Sequence, residues 1–211
     1  MSVVGVLHQK LVFNRRAEVL AGWFAQLAPR SAHVLDVGCG DGLISAVLQE
    51  RRPDLVLRGI DVLPRGRTHI PVEIFDGSHI PFGDQSFDLV LFSDVLHHTP
   101  DPATLLREAH RVARHSILIK DHNRDGLLAG ARLRFMDWVG NARFGVALPY
   151  NYWTERQWRD TWREIGLQPD QVITDLGLYP FPANYIFGAQ LHFVARLTKA
   201  RRSSSAGWTP E

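Results

Sequence analysis

His33-Val34-Leu35-Asp36-Val37-Gly38-Cys39-Gly40-Asp41-Gly42 decides the fold of this chain. An apolar run stops there at three glycines set in alternate positions. The run reads as a buried strand, and the glycines as a tight turn into the next element. Residues 43–50 continue as a helix. The same grammar then recurs. Residues 55–60 form a second strand ending in Asp61, and residues 72–75 a third ending in Asp76-Gly77. Residues 87–92 form a fourth ending in Ser93-Asp94, and residues 116–120 a fifth. Asp101-Pro102 opens the helix between the last two, with Asp suited to the N-cap and Pro to the first turn. Near-continuous apolar strands alternating with helices specify an α/β chain with a parallel sheet covered on both faces.

Outside this core, residues 11–28 carry helical spacing and end before Pro29. Residues 125–139 predict an amphipathic helix whose apolar face holds Leu127, Leu128, Ala131, Phe135, Trp138 and Val139. Thr154-Glu155-Arg156-Gln157 predicts a capping box, and Gly166 the end of that helix. Residues 171–174 and 191–196 read as a closing antiparallel pair. Residues 1–198 therefore predict one domain, with 121–155 and 177–190 as covering segments on the acceptor side. Residues 199–211 read as a flexible tail.

Composition excludes several classes. Cys39 is the single cysteine, so no disulfide scaffold is available. No apolar run approaches the ~18 residues of a membrane span, and the N-terminus lacks the layout of a secretory signal. A cytoplasmic protein that does not engage membranes is the expectation. The net charge of +2 is too small and too scattered for a nucleic-acid binder.

Ligands of open α/β sheets bind beyond the carboxyl ends of the strands, where these Gly and Asp residues collect. Gly38, Gly40 and Gly42 are spaced G-x-G-x-G, and Leu43 stands where a dinucleotide fingerprint needs its third glycine. No phosphate-binding Lys follows. Asp36 and Asp41 make the loop acidic, which repels a pyrophosphate and welcomes a cationic or zwitterionic group. Asp61, at the end of the second strand, suits two vicinal ribose hydroxyls.

Residues 34–42 resemble motif I of the class I S-adenosylmethionine-dependent methyltransferases. Residues 76–82 with 87–90, and residues 93–98, resemble that family's later segments. The resemblance spans roughly residues 30–120. It implies a Rossmann-like sheet of seven strands with an antiparallel last strand, and S-adenosylmethionine as cofactor. It further implies that Gly38, Cys39, Gly40 and Gly42 approach the methionine part and that Asp36 orients its ammonium. Asp61 would bind the ribose, Val62 would flank the adenine, Asp76 with Gly77 would face the adenine amino group, and Ser93 would offer its carbonyl. The family's Leu-Lys-Pro-Gly-Gly turn before strand five is absent; Arg111-Val112-Ala113-Arg114-His115-Ser116 stands there.

For the acceptor, the sequence offers His122 as first choice of base, then His98. Trp138, Asn141, Tyr150 and Tyr152 are candidate substrate contacts. A metal site from Asp94, His97 and His122 has no ligand spacing behind it, so no metal is expected. Residues 93–96 lack the Asn/Asp-Pro-Pro-Tyr of base-amino methylation, and Cys39, inside the loop, cannot serve as a carbon-methylation nucleophile. The expectation is a methyltransferase acting by in-line displacement on an O or N atom of a small metabolite, without nucleic acid, as a monomer or homodimer. The alternatives are a non-catalytic S-adenosylmethionine-binding protein and a nicotinamide-dependent oxidoreductase.

Overall fold

The computed structural model describes residues 3–141, 149–181, 183–188 and 190–200. In chain order the elements are α1 (Val3–Leu27), β1 (His33–Val37), α2 (Leu43–Arg51), β2 (Val56–Asp61), β3 (Val72–Ile74) and β4 (Phe87–Ser93). A 3-10 turn (Leu96–His98) leads to α3 (Pro102–Val112) and β5 (Ala113–His122). The last third holds α4 (Ala129–Asn141), α5 (Glu155–Ile165), β6 (Leu167–Ile173), a π-helical turn (Asn184–Gly188) and β7 (His192–Lys199). No described helix is long and apolar enough to cross a membrane.

The strands form one seven-stranded sheet in the order β3-β2-β1-β4-β5-β7-β6. The pairs from β3 to β5 are parallel, and β7 runs antiparallel to both β5 and β6. The chain order reverses between β1 and β4, and such a switch point opens a crevice at the strand ends. Two apolar layers cover the sheet. On one face Leu105, Leu106 and Ala109 of α3 join Trp158 and Trp162 of α5 over Leu35, Val37, Val90 and Phe92. On the other, Leu20, Ala21 and Phe24 of α1 and Leu48 of α2 lie over Val34, Leu89, Leu91 and Leu118. The alternation of β1 and β4 between the two layers explains why these strands read as unbroken apolar runs.

Local signals behave as their chemistry requires. Asp101 Oδ1 accepts from the N–H groups of Ala103 and Thr104 at the start of α3. Thr154 and Gln157 form the reciprocal capping box of α5, and Gly166 ends it at φ 81°. Several boundaries change; α1 begins at Val3 rather than at residue 11, and β7 runs to Lys199 rather than to residue 196. β5 begins at Ala113, three residues earlier than read, because Ala113 pairs with Phe87 ahead of a register shift. β6 begins at Leu167 and carries Pro169 on the sheet edge beside a register shift, a position where a missing N–H is tolerated. The helix predicted over 125–139 starts only at Ala129, after left-handed Gly126 and Leu128. Its inward face is Ala129, Leu133 and Met136, which pack on Tyr152, Tyr150 and Leu191. The face expected to be covered is exposed instead: Leu128 is 68% accessible, Phe135 54% and Trp138 60%.

Trp158 joins these layers. Its ring contacts Trp153, Trp162 and Phe193, and its indole N–H donates to the His122 carbonyl at 3.0 Å. Trp158→Ala should lower unfolding free energy by about 3–5 kcal/mol in a denaturant titration, as expected for a large buried aromatic. A loss under about 1 kcal/mol would mean that the α5 layer is not part of the core.

Candidate active site

The loop after β1 is built by three left-handed glycines, Gly38 (φ 72°), Gly40 (φ 62°) and Gly42 (φ 78°). Two of them are also sterically required. A Cβ on Gly38 would lie 2.6 Å from Val95, and one on Gly42 2.5 Å from Ile70. Gly40 differs, because a Cβ there would meet nothing within 4 Å. Its freedom serves the open space above the loop. Cys39 turns the other way: its Sγ sits where a Cβ on Gly59 would be, so the side chain packs against β2. Burial and the nearby Asp36 charge push its thiol pKa up, which leaves it unreactive.

Two carboxylates flank this loop. Asp36 is 2% exposed; its Oδ2 accepts from Ser45 Oγ at 2.6 Å, and its Oδ1 has no partner among the described residues. Burial, opposed by the Ser45 hydrogen bond and aided by the Asp61 charge, lifts its pKa to about 7. Asp61 Oδ2 accepts from the Gly40 N–H at 2.8 Å and its Oδ1 from the Leu63 N–H at 2.9 Å. Oδ2 keeps a second acceptor direction, and Oδ1 has the Arg65 guanidinium 3.9 Å away. Val62, beside it, is 50% exposed, and a Cβ on Gly77 (φ 85°) would come 3.1 Å from Val62. Asp76 Oδ1 gathers the Ser78 N–H, the Ser78 hydroxyl and the His79 N–H into the turn after β3. Ser93 closes the row at the end of β4, with its buried Oγ unpaired among the described residues. All ten sequence-predicted cofactor residues therefore lie along one edge of the sheet.

Beyond β4 and β5 the site is sealed and polar. Asp94 holds a left-handed backbone (φ 59°) and pairs with both Arg16 and Lys120. A non-glycine residue in this region is strained, and such strain collects at functional sites. Burial would raise the Asp94 pKa, but the Arg16 and Lys120 charges hold it well below the usual carboxylate range. Lys120 is fully buried, 3.3 Å from His192 Nδ1, and desolvation, opposed by Asp94, lowers its pKa to about 8. Asp121 Oδ2 accepts from the Leu96 N–H at 3.1 Å, and its Oδ1 from the His122 N–H at 2.7 Å. His97 Nδ1 is 2.6 Å from the same Oδ1, and His122 Nδ1 is 3.3 Å from it.

His122 is 5% exposed, and burial with the Lys120 and His97 charges lowers its pKa to about 4. Its ring is enclosed and held in the neutral form, which can accept a proton but only weakly. His98 is half-buried, with its ring 4.0 Å from that of His97. Tyr152 is buried and stacks on His97 at 5.4 Å. Tyr150 packs beside Tyr152 at 6.3 Å and lies under the Arg134 guanidinium. Trp138 faces outward, away from this group. The side chain of Asn141 lies outside the described residues. Sequence reasoning missed Arg16, Lys120 and His192 as members of the site. Only Lys120 had a local signal, as a lysine in an otherwise apolar strand.

A seven-stranded sheet of this order, a glycine loop after β1 and a carboxylate after β2 define a class I methyltransferase fold. The chain belongs to the methyltransferase-domain family, whose model matches residues 12–172. It is 38% identical over 99 residues to the malonyl-[acyl-carrier protein] O-methyltransferase of Dechloromonas aromatica, covering 45% of this chain and 37% of that one. It is 33% identical over 88 residues to the tRNA U34 carboxymethyltransferase of Nautilia profundicola, covering 36% of this chain and 28% of the other. The chain thus spans less than half the length of these curated relatives. A solved S-adenosylmethionine-dependent methyltransferase of Thermotoga maritima shares the fold, with TM-score 0.64 and 19% identity over 93% of this chain and 96% of the other. The exclusion of nucleic acid drawn from the sequence has no support among relatives that include a tRNA-acting protein.

Asp36 gives this site a measurable signature. Its folded pKa, about 7 against an ordinary 3.8, means that the native state holds a proton the unfolded chain has released. That contribution to stability is full below about pH 4 and is lost as pH rises through about 7. Asp36→Asn should gain stability relative to the parent between pH 5 and pH 8, by on the order of 2 kcal/mol in urea unfolding. A pH-independent difference would contradict the buried, half-paired carboxylate.

Proposed function

We propose that the chain transfers the methyl group of S-adenosylmethionine to an oxygen or nitrogen atom of a small-molecule acceptor. The observation that carries the cofactor assignment is the loop after β1, where Asp36 keeps a buried carboxylate oxygen without a partner among the described residues and Gly40 has open space where a side chain would stand. An unpaired buried acceptor is costly, and a ligand ammonium is the group that would relieve it. A pyrophosphate would instead meet Asp36 and Asp61 as like charges.

When bound, the cofactor supplies a methyl group already activated on a sulfonium. The remaining work belongs to the chain. Asp36 Oδ1 holds the ammonium, and the backbone at Gly38 and Gly40 lets the methionine part lie against the loop. Asp61 spends one acceptor direction of each oxygen on Gly40 and Leu63, and offers the others to the ribose hydroxyls. Val62 and Gly77 enclose the adenine, and Asp76 Oδ2 faces its amino group while Oδ1 holds the turn. Ser93 adds its carbonyl. The wall formed by Tyr150 and Tyr152 excludes water and orients the acceptor. Where the acceptor has a proton to lose, His98 is the imidazole on the accessible side of the turn; His122 organises the group behind it. The outward face of Trp138 takes that residue out of the inner wall.

The test is calorimetric titration with S-adenosylhomocysteine, with NAD as the contrasting ligand, followed by methyl-labelled donor and a metabolite panel. S-adenosylhomocysteine should bind and NAD should not. Gly40→Ala adds a methyl into open space at a left-handed backbone, so it should weaken binding at least tenfold, about 1.4 kcal/mol, and lower stability by about 1–2 kcal/mol without unfolding the chain. Asp61→Asn should cost about 10–100-fold through the ribose. Unchanged affinity in both variants would overturn the cofactor assignment; binding without product from any acceptor would leave a binding protein in place of an enzyme.

A further inference from the structure

Three donors at the end of β5 and the turn after β4 point at one another and are not needed for cofactor binding. His97 Nδ1 lies 2.6 Å from Asp121 Oδ1. His122 Nδ1 lies 3.3 Å from His97 Nδ1 and 3.3 Å from Asp121 Oδ1. The side chains are 1%, 0% and 6% exposed for His97, Asp121 and His122.

As a hydrogen-bonded group alone, this arrangement is crowded. Asp121 Oδ1 already takes the His122 backbone N–H at 2.7 Å, and both ring nitrogens converge on the same atom. A carboxylate oxygen has about two good acceptor directions. If both rings donate to it, their N–H groups face each other across the 3.3 Å gap. A cation between the three atoms replaces that conflict with three lone pairs directed at one charge. The two 3.3 Å edges match the ligand–ligand edge of about 3.3 Å in a tetrahedral site with bonds near 2.05 Å. The 2.6 Å edge opens when the Asp121–His97 hydrogen bond is exchanged for two metal bonds.

The surroundings suit an ion. Arg16 and Lys120 both pair with Asp94, so these two cations share that carboxylate. Asp121 is the carboxylate that faces the two imidazoles, and its other oxygen is anchored by the Leu96 N–H at 3.1 Å. The His122 carbonyl is held by the Trp158 indole, and the His97 ring by stacking on Tyr152. Such outer contacts orient ligand groups. Asp94 Oδ1, 3.7 Å from His122 Nδ1, is the next oxygen in reach.

We propose that His97, Asp121 and His122 form a binding site for one divalent transition-metal ion of the zinc class. Two imidazoles and one carboxylate are the donor set of zinc and iron(II) sites; magnesium and calcium call for oxygen ligands throughout. The sequence reading grouped Asp94 with His97 and His122 and expected no metal; the fold exchanges Asp94 for Asp121. The site is independent of the methyl-transfer reading.

The test uses the full chain, stripped with chelator and titrated with cobalt(II) chloride. A single equivalent should bind with a visible d–d band in the 500–650 nm region, about as intense as tetrahedral sites require. One equivalent of zinc chloride should abolish it. His122→Gln and His97→Gln, checked for folding by circular dichroism, should lose at least about 100-fold in affinity, whereas surface His115→Ala should not. In ¹⁵N-histidine-labelled parent protein, zinc should shift Nδ1 of two of the ten histidines, a readout that needs no variant to fold. No cobalt band in the parent, or equal binding by folded His122→Gln, would overturn the site.

Discussion

Carboxylates at the carboxyl edge of a buried sheet must be satisfied where they stand, and this requirement shapes the loops of the structure. Asp61 takes the N–H groups of Gly40 and Leu63, and so joins the first two loops. Asp76 winds the turn after β3 around one oxygen. Asp121 draws the turn after β4 onto the end of β5 through the Leu96 N–H and the His97 ring. Asp94 reaches across to α1 and β5 at once. Asp36 alone is left half-satisfied, with one oxygen on Ser45 and the other on nothing described. Leaving a buried acceptor unpaired costs about 1–3 kcal/mol. That cost falls when a donor arrives, and the raised Asp36 pKa records how a proton already serves as one.

The pairing of Asp94 with Lys120 and Arg16 follows a different logic. Burying charges is expensive, and their mutual attraction often does no more than repay the desolvation. The network therefore adds little to stability. What it does is specify position. Lys120 is buried in β5, Arg16 projects from α1, and Asp94 meets both from a left-handed backbone. The first helix is thereby tied to the end of β4, next to Ser93. The neutral, low-pKa His122 belongs to the same electrostatics, because burial and the neighbouring Lys120 ammonium disfavour its charged form.

The sheet was legible from the sequence because its signals are local. An apolar run followed by glycine or aspartate needs no distant partner to be read, and the capping residues of α3 and α5 act on N–H groups two or three positions away. The glycine loop after β1 was legible for the same reason. The polar group beyond β5 was not, since its contacts join residues 78 positions apart for Arg16 and Asp94, and 72 apart for Lys120 and His192. Spacing along the chain carries no trace of such pairs. The partial success at His97 and His122 shows the boundary: both were recognised as titratable, but Asp121 became their common partner only through the β4–β5 pairing, in which Ser93 lies opposite Lys120.

The reversal of α4 has a physical source as well. Helical periodicity identifies two faces and cannot say which of them meets the core when both carry apolar residues. Ala129, Leu133 and Met136 turn inward and pack with Tyr150, Tyr152 and Leu191. Phe135 and Trp138 lie on the other face of the helix. They remain outside, with Leu127 and Leu128 on the turn before them. This side of the molecule thus has an inner wall of tyrosine and histidine and an outer surface of exposed apolar residues. It is the inner wall, built by residues 150–152 on the sealed side of α4, that stands next to the strand ends where chemistry can occur.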